Sequence, residues 1–171
     1  ARGKKLAPLS SNVWRAFKLT PLENVKCILC GQSPYHTFKN RQPVADGLLM
    51  SCSVTNQLQP SLEMFYKGME DELGIEINKT PDLSYLAEQG VLLLNASLTT
   101  EMNKPNSHGK LWEPFIKYLF EDILYVSGAP VVFLGKDAAR CKRYLSPFTL
   151  AFEVSHPASS SYKGMDTWDS E

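Results

Sequence analysis

Apolar residues fall along this chain in two alternating patterns. Four short runs, Val25 to Cys30, Val91 to Leu94, Val131 to Leu134 and Leu150 to Val154, are apolar with little alternation, as strands buried on both faces are. Between them the apolar positions take helical spacing. Trp112, Phe115, Ile116, Leu119, Phe120, Ile123 and Leu124 mark one face of a helix followed by Gly128. Leu62, Phe65, Met69 and Leu73 form a second stripe ending at Gly74, and Leu83 to Gln89 predicts a short helix closed by Gly90. Both stripes are read as core. Strands separated by helices predict an α/β fold with a central, mostly parallel four-stranded sheet flanked by helices, because parallel neighbours need crossover connections. Residues 1–171 are expected to form a single domain, trimmed at both termini, since the chain starts without Met and stops at Trp168-Asp169-Ser170-Glu171 with no closing element.

This layout already locates a site. In open α/β sheets ligands gather beyond the carboxyl ends of the strands. The first strand is followed by Gly31-Gln32-Ser33-Pro34-Tyr35-His36, the second by Asn95, the third by Gly135-Lys136 and the fourth by Ser155-His156-Pro157. These polar, Gly- and Pro-rich segments are expected to line one cleft.

Composition narrows the class. The 171 residues are 43% hydrophobic and 21% charged, which suits a compact domain with a real core. No stretch approaches the roughly 18 consecutive apolar residues of a membrane helix, and Ala1 to Leu6 lacks a secretory signal's apolar run, so the expected setting is intracellular, cytoplasm or nucleus, with no membrane partner. Lys plus Arg equals Asp plus Glu at 18 each, so DNA contact would have to be local, through backbone amides, Ser hydroxyls and helix N-termini. Cys27-x-x-Cys30 has the look of half a metal or redox site, but residues three apart on a strand face opposite ways, and the pair is read as core. His36, His108 and His156 lack ligand spacing with one another or with the cysteines, and no phosphate-cradling glycine loop occurs, so neither metal nor cofactor is expected.

The segment Gly31-Gln32-Ser33-Pro34-Tyr35-His36 resembles the water-activating loop of family 1 uracil-DNA glycosylases, normally Gly-Gln-Asp-Pro-Tyr-His. Ala45-x-Gly47-Leu48, Gln59-Pro60-Ser61-Leu62, Gln89 to Asn95 with Leu98-Thr99, Ser107-His108 with Trp112-Glu113-x-Phe115, and His156-Pro157 resemble that family's further segments in order, across about residues 13 to 164. The resemblance implies a monofunctional enzyme that flips uracil out of DNA and hydrolyses its N-glycosidic bond in base excision repair. Asn95 would read the base by accepting from N3–H and donating to O4, with Gln32 beside it. Tyr35 would exclude a methyl at C5, and Met50 would lie under the base. His156 would donate to O2 as the leaving base gains charge. Ser61, Ser161 and the Gly135-Lys136 turn would hold phosphates, and His108 would brace this edge. The protein is expected to act as a monomer on single- or double-stranded DNA containing uracil, with any inhibitor or replication partner left open.

Three positions depart from the family pattern. Ser33 stands where an Asp orients water and stabilises the positive sugar, and a neutral hydroxyl cannot supply that charge. Met50 replaces a stacking Phe. Ser160, within His156-Pro157-Ala158-Ser159-Ser160-Ser161, replaces the apolar wedge that fills the vacated stack, which favours single-stranded substrate. The reading adopted is a slowed uracil glycosylase using Ser33 and His156. Alternatives are a glycosylase for another altered base, disfavoured by Tyr35, and a non-catalytic DNA-binding or replication-accessory homologue. A Ser33/His156 serine hydrolase is disfavoured because Gly31-x-Ser33-x-Tyr35 lacks the second Gly of a nucleophile elbow and Pro34 has no amide for an oxyanion hole. Asp46 is the nearby carboxylate that could compensate for Ser33, though nothing in the sequence brings it to the cleft.

Overall fold

The structure, a computed structural model, describes residues 5–162, with the side chains of 160–162 outside that description. In chain order the principal elements are β1 (Leu6–Ala7), α1 (Arg15–Leu19), β2 (Cys27–Gly31), β3 (Phe38–Lys39), β4 (Gln42–Pro43), α2 (Pro60–Leu73), α3 (Ser84–Glu88), β5 (Val91–Asn95), β6 (Thr100–Glu101), α4 (Gly109–Tyr118), β7 (Val131–Leu134), α5 (Lys136–Ala139), β8 (Ala151–Val154) and α6 (Pro157–Tyr162). The central sheet runs in the order β5-β2-β7-β8, and every neighbouring pair in it is parallel. Helical crossovers supply the connections, as parallel pairing requires. Two-residue antiparallel ladders, β1 with β6 and β3 with β4, sit apart from it.

Strands β2, β5 and β7 are apolar because both faces are covered. Ile28, Cys30, Leu92, Leu93, Leu94, Val131 and Phe133 are all at most 1% exposed. The edge strand β8 corrects the expectation of four buried strands. Its residues are exposed or half-exposed, with Phe152 at 49% and Leu150 just before it at 61%. The stripe on α2 also ends early: Leu62, Phe65 and Tyr66 are buried, whereas Leu73 in the last turn is 61% exposed. That turn closes at Gly74 in the left-handed region, φ 63°. The long stripe from Trp112 is one helical path in three pieces, α4 followed by a wider π turn at Leu119–Ile123 and a tight turn at Leu124–Ser127. Among the described residues, no helix is long and apolar enough to cross a membrane.

Chain order and strand order together make a switch point. The chain leaves β2 toward β5 on one side and later returns to β7 on the other, so the crossovers diverge beyond the carboxyl ends of β2 and β7. A crevice is expected there in an open α/β sheet.

Candidate active site

A cavity of about 540 Å³ opens at that switch point. Gln32 from the β2 loop, Gly135 and Lys136 from the β7 turn, and Ser155, His156 and Ser159 from the end of β8 and the start of α6 share its lining. Gly135 makes the close approach possible. It sits at φ +87°, and a Cβ there would stand 3.0 Å from the Cβ of His156. The Gly135 amide donates to the Val154 carbonyl at 2.8 Å, fixing the two loops side by side.

His156 is held in a defined protonation state. The Ala158 amide donates to its Nδ1 at 3.1 Å, so the ring proton of the neutral imidazole resides on Nε2. Burial pushes its pKa below the ordinary 6.5, which favours that neutral form. Its carbonyl accepts from the Ser159 amide at 2.8 Å and the Ser159 hydroxyl at 2.6 Å, tying the histidine to the first turn of α6.

Across β2, Asn95 ends β5 in register with Gly31. Asn95 is 5% exposed, and its Oδ1 is buried without a hydrogen-bond partner. A buried acceptor left unpaired is uncommon and calls for a partner. Ala96 and Ser97 donate their amides to the carbonyls of Gly31 and Gln32 at 2.8 and 3.0 Å, extending the pairing of the two strands into their loops.

The other expected residues are distributed less simply. Ser33 Oγ accepts from the Asn106 amide at 3.2 Å, an anchor that the sequence reading missed because the two positions lie 73 apart. Tyr35 is half-buried, and its hydroxyl shares a 2.5 Å hydrogen bond with Ser61. Ser61 is therefore not an open surface hydroxyl; it is 4% exposed in the first turn of α2. Met50 is 5% exposed and belongs to the hydrophobic core, with its backbone in the left-handed region at φ 58°. Asn95, Tyr35 and Met50 do not line the cavity shared by Gln32 and His156. The side chains of Ser160 and Ser161 lie outside the described residues.

Asp46 does not enter the cavity. Its side chain is buried, paired with Arg15 at 2.8 Å, and it accepts from the Leu48 amide, both Ser51 and Ser53 hydroxyls, and the Ser53 amide at 2.6–3.1 Å. It is a clamp on the 46–53 segment. His108 shares a 2.8 Å hydrogen bond with Thr99, which also accepts from the Trp112 indole at 2.8 Å. That network joins the β5–β6 loop to α4. Cys30 is buried and Cys27 half-buried, and all four cysteines are free thiols.

Open α/β sheets of this kind place ligand sites at the divergence of their crossovers, and this chain gathers its polar loops there. The chain belongs to the uracil DNA glycosylase superfamily, whose family model matches residues 17–169. Uracil-DNA glycosylase of Streptococcus pneumoniae (strain Hungary19A-6) is 39% identical over 169 residues, covering 96% of this chain and 74% of the relative. The Helicobacter pylori (strain Shi470) uracil-DNA glycosylase is 42% identical over 144 residues, 80% of this chain and 61% of that protein. The crystal structure of mimivirus uracil-DNA glycosylase shares the fold at a TM-score of 0.77 and 22% identity, over 90% of this chain and 57% of that one. Wild-type UNG from Nitratifractor salsuginis shares it at 0.65 and 21% identity, over 89% and 72%.

Proposed function

We propose that this chain hydrolyses the N-glycosidic bond of uracil in DNA, a step of base excision repair, at a rate lowered by Ser33. The observation that carries the reading is the unpaired, buried Oδ1 of Asn95 at the carboxyl edge of β5. An acceptor held this way suits a base N3–H, and the amide's own N–H suits O4, a pattern that cytosine does not offer. His156 supplies the complementary part. A neutral imidazole with its proton on Nε2 donates to O2 as the C1′–N1 bond breaks and its electron pair moves into the base. Water adds to C1′ and gives up a proton, leaving an abasic site and the free base.

Ser33 limits this chemistry. Its oxygen accepts from the Asn106 amide, and it carries no charge to offset the positive sugar. Lys136 serves as a phosphate contact, which positions DNA without reading its sequence. Uracil release from single- and double-stranded oligonucleotides, resolved after alkali, tests the reading. Release abolished by Asn95→Ala is the expected result. No release by the parent chain or by Ser33→Asp, with DNA binding retained, would leave a DNA-binding accessory homologue instead.

A further inference from the structure

We propose that Leu49 gates the base site, its side chain lying over Gly31 beside the Asn95 carbonyl and having to swing aside before a pyrimidine's N3–H can reach that oxygen. The inference rests on the proposed excision function and adds a specificity-determining residue to the same site.

Gly31 and Asn95 are direct partners across β2 and β5, so they present the same face of the sheet. A Cβ built on Gly31 would stand 2.3 Å from Leu49 Cδ1 and 3.4 Å from Asn95 Oδ1. The leucine methyl therefore fills the space over Gly31, on the sheet face that Asn95 shares, and a methyl offers no hydrogen bond to the Asn95 oxygen. Leu49 is 2% exposed, and Asn95 Oδ1 is sealed and unpaired. The Leu49 amide donates to the Leu93 carbonyl at 3.1 Å, and the Asp46 clamp fixes the chain on its N-terminal side, so the backbone is held. What can change is the side-chain rotamer. Every base that reaches Asn95 carries the cost of displacing this leucine, and its affinity falls by the fraction of time the site is open.

Free uracil is the probe, titrated into the full chain by NMR, with melting temperatures recorded to verify folding. Leu49→Ala is expected to bind uracil on the order of tenfold more tightly than the parent. Leu49→Phe should bind none, and Asn95→Ala should abolish binding in either background. If Leu49→Ala does not fold, Leu49→Val, which removes a single carbon, reads the same direction at a smaller size. Unchanged or weaker uracil binding by the folded variants, still abolished by Asn95→Ala, overturns the gate and leaves the base-site reading intact. No uracil binding by the parent and every folded variant overturns the gate and the base-site reading together.

Discussion

At the scale of single residues, Ser33 and His156 set the expected chemistry. A carboxylate at position 33 can accept the same Asn106 amide that the serine oxygen accepts at 3.2 Å, while adding the charge a developing sugar cation needs. Ser33→Asp should raise single-turnover uracil release from a single-stranded oligonucleotide by about 10²- to 10⁴-fold, the usual worth of one positioned charged or general-base group. An unchanged rate would mean that position 33 is not where the sugar's charge forms. His156 gives a pH prediction with a definite sign. Its pKa is below 6.5 in the folded chain because burial disfavours the imidazolium, and near 6.5 when unfolded. The unfolded chain thus binds the proton more readily. The His156 contribution to stability is complete above about pH 6.5 and declines as the pH falls from there through the folded pKa. Urea midpoints for the parent and His156→Gln, compared between pH 7.5 and 5, should converge as the pH drops; parallel curves would contradict the buried, neutral imidazole.

At the scale of elements, the segment bearing Leu49 and Met50 is held by a buried carboxylate. Asp46 takes the Arg15 ion pair at 2.8 Å and hydrogen bonds from Leu48, Ser51 and Ser53, and Arg15 reaches on to the Ser84 hydroxyl at 2.6 Å. Removing Asp46 leaves Arg15 with Asp82 at 3.3 Å as its remaining carboxylate and strips the Leu48, Ser51 and Ser53 donors of this acceptor. Asp46→Ala is expected to cost about 3–5 kcal/mol of unfolding free energy, measured by urea denaturation, and a loss under 1 kcal/mol would refute the clamp. The same segment shows where the sequence stopped being legible. The strands and the long α4 path were readable because each carries its pattern in contiguous residues. The edge strand β8 was misjudged because Leu150 and Phe152 are as apolar as the inner strands, and exposure depends on what lies alongside. Leu73 failed for the same reason, since spacing marks a face of a helix but not where the packing against it ends. Around the cavity, Gln32, Gly135 and His156 were legible from their places after strands, whereas Asn95, expected in the same cleft, does not line it. Leu49 over Gly31, Asn106 on Ser33 and Ser61 on Tyr35 were not legible, because each is a contact between segments distant in sequence.

At the scale of the whole molecule, electrostatics decides how the chain meets DNA. Formal charge is +0, and the cavity at the switch point brings Lys136 together with Asp137 and Glu153, so its lining has no cationic excess. Binding by this edge must lean on amides, hydroxyls and fit rather than on counterion release. For a single strand, log K falls with log salt at about −0.7 per phosphate neutralised. With Lys136 as the cation of the cavity lining, the slope expected for a short uracil-containing single strand is about −0.7, and Lys136→Ala should bring it toward zero. The substitution should weaken uracil-containing and uracil-free strands alike, because a phosphate contact carries no base information. Fluorescence anisotropy between 20 and 200 mM salt measures both quantities. A slope near −4 would place the contact on a basic surface elsewhere, and the carboxyl edge would then hold the base but not the strand.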